Sequence, residues 1–305
     1  MNSISKPAYR IFDRNLKKIQ RNQAASDIIK SRNADYLKDE VADRLVDRLL
    51  FIKREFETVL DLGAGCGHFA KSLNKSKYQP PPIKTLIMTD ISSKMLNRDS
   101  VQYPNLHIER KEMDEEIIQF EENKFDAVVC NLSMHWINDL PGCLIQIQRS
   151  LKPDCPFLGA MFGGDTLFEL RTSLQLAEME RMGGISPRVS PMTEVRDMGS
   201  LMSRAGFKLN TIDVDEIIVD FPDIFTLMRN LQEMGENNAV LSRHHILSRD
   251  VLLAAQAIYK QLHGNKDGSI PATFSVIYMI GWKEAEGQPR PLERASAKTN
   301  LKDVL

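Results

Sequence analysis

Between Asp39 and Arg181 the chain alternates short apolar runs with helical stripes, and few folds satisfy that pattern. DEVADRLVDRLLFI spaces Val41, Leu45, Leu49 and Ile52 as one face of a helix. TVLDL (58–62), IKTLIMTD (83–90), NLHIER (105–110), FDAVVCN (125–131) and CPFLGAMF (155–162) read as strands. HFAKSLNK, ISSKML and LPGCLIQIQRSL read as helices between them. Such alternation predicts a largely parallel sheet with helices on both faces. Further on, helices are expected over 166–182 and 193–204, then a long strand over 209–221. Helices over 223–234 and 249–262 follow, and ATFSVIYMIGWK (272–283) closes the series, rich in β-branched and aromatic residues. The expectation is a Rossmann-like α/β fold with seven strands, the last two forming a hairpin-like pair.

The first strand runs straight into glycines. VLDLGAGCGHF places Asp61, Gly63, Gly65 and Gly67 at its carboxyl end, where open α/β sheets bind ligands. A dinucleotide fingerprint would need its third glycine at 68, which is His68. G-x-G-x-G with an acid two residues ahead instead resembles the S-adenosylmethionine loop of class I methyltransferases. Glycine there admits positive φ and close ligand approach. Asp61 fits either loop fixation or the ligand's ammonium. Asp90, with Ile91 beside it, ends the second strand, and its two oxygens suit vicinal ribose hydroxyls. Asp114, after the third strand, suits an adenine amino group. Each acid alone also reads as a turn or N-cap residue. Asn131, His135 and Trp136, after the fourth strand, are candidates for the wall facing the transferred group; His135 and Trp136 read equally as packing at a helix start. NAD is the alternative cofactor.

The longer stretches GAMFGGDTLFELRTSLQLAE, LQEMGENNA and DGSIPATFSVIYMIGWK, with IFDRNLKK, LSMHWINDLP and RPLERASA, carry a closer resemblance. Over residues 11–298 the chain resembles the mitochondrial complex I assembly factor 5 family, methyltransferase-like arginine hydroxylases. That family's loop usually has cysteine and arginine where this chain has Ala64 and Cys66. A bacterial family of malonyl-acyl carrier protein methyltransferases shares the layout. The resemblance implies S-adenosylmethionine binding and hydroxylation of an arginine in an iron–sulfur subunit of complex I, at the matrix face of the inner membrane. A small assembly-factor partner is part of the same expectation. A methyltransferase acting on a protein or acyl carrier, and a non-catalytic scaffold for complex I assembly, stand as alternatives. An arginine substrate calls for carboxylates. Asp165 and Glu169, following Gly163 and Gly164, are the residues expected to receive it; a helix cap and a solvated acid are the plainer account of them.

No oxidant site is legible. His107 and Glu109 share a strand face, but no second histidine joins them, and no metal is assigned. The four cysteines form no C-x-x-C pair, which argues against a disulfide scaffold or zinc site. Net charge −1 argues against a general nucleic-acid binder. No apolar run approaches membrane-spanning length, so membrane association is expected to be peripheral at most. Eight Lys or Arg against two acids in the first 33 residues read as a basic arm or targeting segment. The domain expectation is an arm over 1–36, one methyltransferase-like domain over 37–283 with helical insertions after the fifth strand and between the last two, and a polar tail over 284–305.

Overall fold

A computed structural model describes residues 9–78, 80–244, 246–289 and 296. Most of the expected polar tail and the first eight residues of the expected arm lie outside them. Helices α1 (Arg14–Ala24), α2 (Ile28–Asn33) and α3 (Tyr36–Leu50) precede the first strand. The sheet unit then runs β1 (Phe56–Leu62), α4 (His68–Lys75), β2 (Ile83–Asp90), α5 (Ser93–Leu96), β3 (His107–Glu112), β4 (Ala127–Asn131), α6 (Leu140–Ser150) and β5 (Pro156–Phe162). It continues with α7 (Phe168–Met182), α8 (Val195–Arg204), β6 (Phe207–Phe221), α9 (Ile224–Glu233), α10 (Arg249–His263) and β7 (Ile270–Lys283).

The seven strands lie in the order β3-β2-β1-β4-β5-β7-β6, with β7 antiparallel to both neighbours. The late pair is therefore antiparallel, as a hairpin would be, but α9 and α10 join its strands instead of a turn. The order reverses between β1 and β4, and a ligand crevice forms at such a switch point.

Alternation along each strand divides two apolar layers. Val59, Leu86, Val129, Leu158 and Val276 face α3, α4, α7 and α10. Leu60, Ile87, Val128, Phe157 and Ile277 face α6 and α8. Strands buried on both faces read as continuous apolar runs, and this made them legible. Side-chain caps set several helix starts: Asp13 accepts from Leu16 N, Asp139 from Gly142 N and Asp223 from Thr226 N. Edge strand β6 shows the half-exposed alternation of a one-sided strand.

The described part of the basic N-terminal segment departs from a solvated arm. Lys17 is fully buried in α1 and Arg21 is 4 % exposed. Charge counting treats such residues as surface groups; here buried carboxylates and backbone carbonyls of the fold meet them.

Candidate functional site

The glycine loop needs its glycines. Gly63, Gly65 and Gly67 all have positive φ. A Cβ on Gly63 would stand 2.2 Å from Ser133 Oγ, and one on Gly65 would meet nothing closer than the His68 ring at 3.7 Å. The backbone at Gly65 is thus open to an approaching group.

Acids at the strand ends face this loop. Asp61 is fully buried, and neither carboxylate oxygen has a hydrogen-bond partner. Burial, with Asp90 nearby and His68 opposing, pushes its carboxyl up to about 7. Asp90 accepts from Gly65 N at 3.0 Å, Ser92 N at 2.8 Å and Arg21 Nη1 at 2.8 Å. Ile91 is buried beside it. Asp114, two residues beyond β3, pairs with Arg14 at 2.7 Å. Asn131 donates to Lys38 O at 3.0 Å, and its side-chain oxygen is unpartnered.

A further carboxylate belongs to this group and was missed in the sequence. Glu115, next to Asp114, is fully buried and accepts from Ser133 Oγ at 2.9 Å. Against its burial, Arg14 and Arg21 hold its carboxyl below the usual range. Arg21 also donates to Ser133 Oγ at 3.2 Å. Two guanidinium groups of α1 thus sit on the acids assigned to ribose and adenine. The remaining crevice holds about 20 Å³, room for about one water. The residues still fit S-adenosylmethionine in kind: a partnerless buried acid, an unpartnered amide oxygen and a loop open at Gly65. Its admission requires α1 to give way.

Beside the crevice, at the carboxyl ends of β4 and β5, lies a chamber of about 280 Å³. Trp136, Phe162, Leu170, Met228 and Phe274 supply apolar walls; among the described residues Glu236 is its one carboxylate, and Arg188 and Arg243 also line it. Glu236 accepts from Trp136 Nε1 at 2.7 Å and pairs with His135 Nε2 at 3.2 Å. Its other oxygen lies 2.9 Å from Lys38 Nζ, a crevice residue. Against burial, Lys38 and His135 hold its carboxyl well below the usual range. An ionised carboxylate only accepts, so His135 carries its proton on Nε2, and its Nδ1 is unpartnered. Burial pushes the imidazole pKa down, which keeps it neutral. Lys17 braces this corner from behind, donating to Gly235 O and Asn237 O, with Nζ 3.3 Å from the Trp136 ring centroid.

His135 and Trp136 therefore come together, but through a partner the sequence reading did not single out, although it lies in the quoted stretch LQEMGENNA. Asp165 and Glu169 do not join them. Asp165 is exposed and caps nothing through its side chain; α7 starts at Phe168, after Leu167 in the left-handed region. Glu169 is buried one turn on, its carboxylate accepting from Thr273 Oγ1 and N. Spacing along α7 placed the two near the crevice, whereas the local turn points one outward and commits the other to β7. His107 and Glu109 form an exposed pair at 3.5 Å.

Comparison with known proteins agrees with this layout. A methyltransferase-domain family model matches residues 34–212. A solved Bacillus halodurans putative methyltransferase superposes with TM-score 0.54 at 14 % identity, covering 79 % of this chain and 97 % of that one. The Bacillus subtilis YcgJ structure gives TM-score 0.53 at 16 % identity, with 79 % and 98 % coverage. These two show the fold alone. Mitochondrial arginine-hydroxylase NDUFAF5 of Danio rerio is 47 % identical over 98 % of this chain and 91 % of its own length. The Homo sapiens protein of that name is 48 % identical over 99 % and 85 %. A malonyl-[acyl-carrier protein] O-methyltransferase of Methylovorus is 32 % identical over 82 % and 83 %. With a methyltransferase domain and near-full-length identity of this order, the chain belongs to the arginine-hydroxylase NDUFAF5 family.

Proposed function

We propose that this protein hydroxylates an arginine in an iron–sulfur subunit of mitochondrial complex I, working at the matrix face of the inner membrane. The observation that carries the reading is the buried, ionised Glu236 between the crevice and the aromatic chamber. An arginine side chain matches both halves of that chamber: its stem packs on apolar walls, and its guanidinium needs a carboxylate. Glu236 takes the receiving role expected of Asp165. Trp136 and His135 fix the carboxylate's orientation, and Lys38 ties it to the crevice side.

We assign the S-adenosylmethionine site to Asp61, Asp90, Asp114, Asn131 and the loop Gly63–Gly67. When bound there, that cofactor supplies a sulfonium charge and a transferable methyl group beside the chamber. Asp61 is suited to its ammonium. Asp90 reaches its hydroxyls only after releasing Arg21. No helix among the described residues is long and apolar enough to cross a membrane. A membrane-side location then rests on peripheral contacts or on a small assembly-factor partner.

Mass spectrometry of the iron–sulfur subunit, with and without this protein, tests the reading. The expected result is a gain of one oxygen on an arginine. A gain of one methylene would instead favour the methyltransferase reading, which the 32 %-identical O-methyltransferase relative supports. No mass change would leave a scaffold.

The contact between α1 and the acids yields its own expectation. Arg21→Gln leaves Asp90 and Glu115 buried with weaker counter-charge, which costs roughly 3 kcal/mol in the ligand-free protein. It also removes the group that competes for Asp90. Saturating S-adenosylmethionine is therefore expected to raise the melting temperature of the variant more than that of the parent. An equal or smaller rise would show that Arg21 does not stand in the cofactor's way.

A further inference from the structure

The glycine loop also carries a convergence at the edge of the cofactor crevice, which Asp35 and His68 help to line. Cys66 Sγ lies 3.1 Å from His68 Nε2, and Asp35 Oδ1 lies 3.8 Å from the same nitrogen. One donor atom from each of Asp35, Cys66 and His68 falls within 4.8 Å of the others. Two distant pieces of chain meet here: the N-cap residue of α3, and the loop that runs into the first residue of α4.

The donor set and its spacing suit a metal. Thiolate, imidazole and carboxylate are all zinc ligands, at about 2.3, 2.0 and 2.1 Å. Tetrahedral geometry at those lengths separates donor atoms by about 3.3–3.6 Å. The observed 3.1 and 3.8 Å bracket that spacing, and the Cys66–Asp35 pair lies within 4.8 Å, so closing on an ion takes movements of up to about 1 Å. His68 is also oriented for the task. Its Nδ1 lies 2.8 Å from Asp39 Oδ1, which leaves Nε2 to face the other two donors. A carboxylate behind the ring nitrogen is the usual outer support of a metal-bound histidine.

Arg98 is the feature that opposes a cation. Its Nη2 lies 2.8 Å from Cys66 Sγ and 2.5 Å from Asp35 Oδ2, and its Nη1 lies 3.0 Å from Asp35 Oδ1. Binding an ion therefore requires this guanidinium to shift outward, where a metal-bound thiolate can still accept from it. A cavity of about 290 Å³, lined by the three donors together with Lys71, Tyr103 and Arg110, opens beside the cluster. Three protein ligands with an open fourth side is the arrangement of zinc sites that keep an exchangeable position.

We propose that Asp35, Cys66 and His68 bind one thiophilic divalent transition-metal ion of the zinc class, with Asp39 as the orienting carboxylate and the fourth position facing the cavity. The ion ties the glycine loop to α3.

Cobalt(II) serves as the optical probe on the full chain after chelator treatment. The expected result is one equivalent bound, with a near-ultraviolet sulfur-to-cobalt band and visible bands of a four-coordinate ion. Cys66→Ser should abolish the near-ultraviolet band, and Asp39→Asn should weaken binding by about 10- to 100-fold. A second measurement needs no variant: zinc should slow alkylation of Cys66 in the parent protein, read by peptide mass spectrometry. Absence of the band in the folded parent, its persistence in Cys66→Ser, or equal alkylation with and without zinc would each overturn the proposal. None of these readouts depends on hydroxylation.

Discussion

Asp61→Asn is expected to stabilise the ligand-free protein at pH 8, to change its stability little near pH 4, and to weaken S-adenosylmethionine binding. Burial raises the folded-state carboxyl to about 7, whereas the unfolded chain titrates near 3.8. Between those values the folded state holds the proton that the unfolded state has released. Stability therefore falls as pH rises from about 4 to about 7, and the full cost is present above that. Three pK units correspond to about 4 kcal/mol. Asparagine cannot ionise and so escapes this cost, and its amide is as unpartnered as the protonated acid it replaces. The two stability curves should converge near pH 4 and separate as pH rises toward 7 in chemical denaturation experiments. Parallel curves would show that Asp61 does not carry an uncompensated charge. Cofactor affinity should drop about ten- to a hundredfold, since the carboxylate suited to the ammonium is gone. A destabilising acid without a protein partner makes physical sense where a cationic ligand supplies the partner.

Strand identity was legible because each central strand is buried on both faces and bounded by glycine or polar turns. All seven strands begin within two residues of the expected positions. The insertion of β7 between β5 and β6 was not legible. Strand order depends on which faces α7, α9 and α10 cover, and periodicity does not encode that. Asp61, Asp90 and the glycine loop were readable because they sit at strand ends, where backbone topology alone brings them together. Glu115, Glu236, Arg21 and Lys38 were not. Each is a charged residue in a polar stretch, and only tertiary packing distinguishes a buried ion pair from a solvated one. Arg21 and Asp90 stand 69 positions apart, and His135 and Glu236 stand 101 apart. Asp165 shows the converse error: local spacing was right, but the left-handed turn at Leu167 directs the chain so that its carboxylate remains in solvent. The Asp35–Cys66–His68 cluster escaped the cysteine count because its donors come from two distant segments rather than from paired C-x-x-C repeats.

Glu236→Gln is expected to abolish arginine hydroxylation and to lower the melting temperature by on the order of 10 °C. The substitution keeps shape and removes charge. Lys38 then loses the carboxylate 2.9 Å away, and Lys17, whose pKa burial already pushes down, loses the carboxylate that opposes that shift. Removing one partner of a buried ionic cluster costs about 3–5 kcal/mol, which sets the temperature shift. The sign of the pH dependence separates this electrostatic cause from simple misfit. Lys38 and His135 depress the Glu236 carboxyl below its unfolded value near 4.5. The stability it contributes is therefore present above about pH 4.5 and is lost as pH falls toward the depressed folded-state value. The gap between parent and variant should narrow on acidification, because only the parent has this contribution to lose. A gap independent of pH would assign the damage to packing. Activity must be compared well below both melting temperatures, where the variant is folded. Under those conditions a structural carboxylate would leave hydroxylation intact, and full modification by folded Glu236→Gln would remove Glu236 from the chamber's function. Trp136→Phe provides the complementary measurement. It keeps an aromatic wall, deletes the indole N–H that donates to Glu236 at 2.7 Å, and leaves space where one ring of a buried side chain stood. A loss of about 1–2 kcal/mol in stability, with a larger proportional loss in hydroxylation, is the outcome if the orientation of that carboxylate is what the reaction requires.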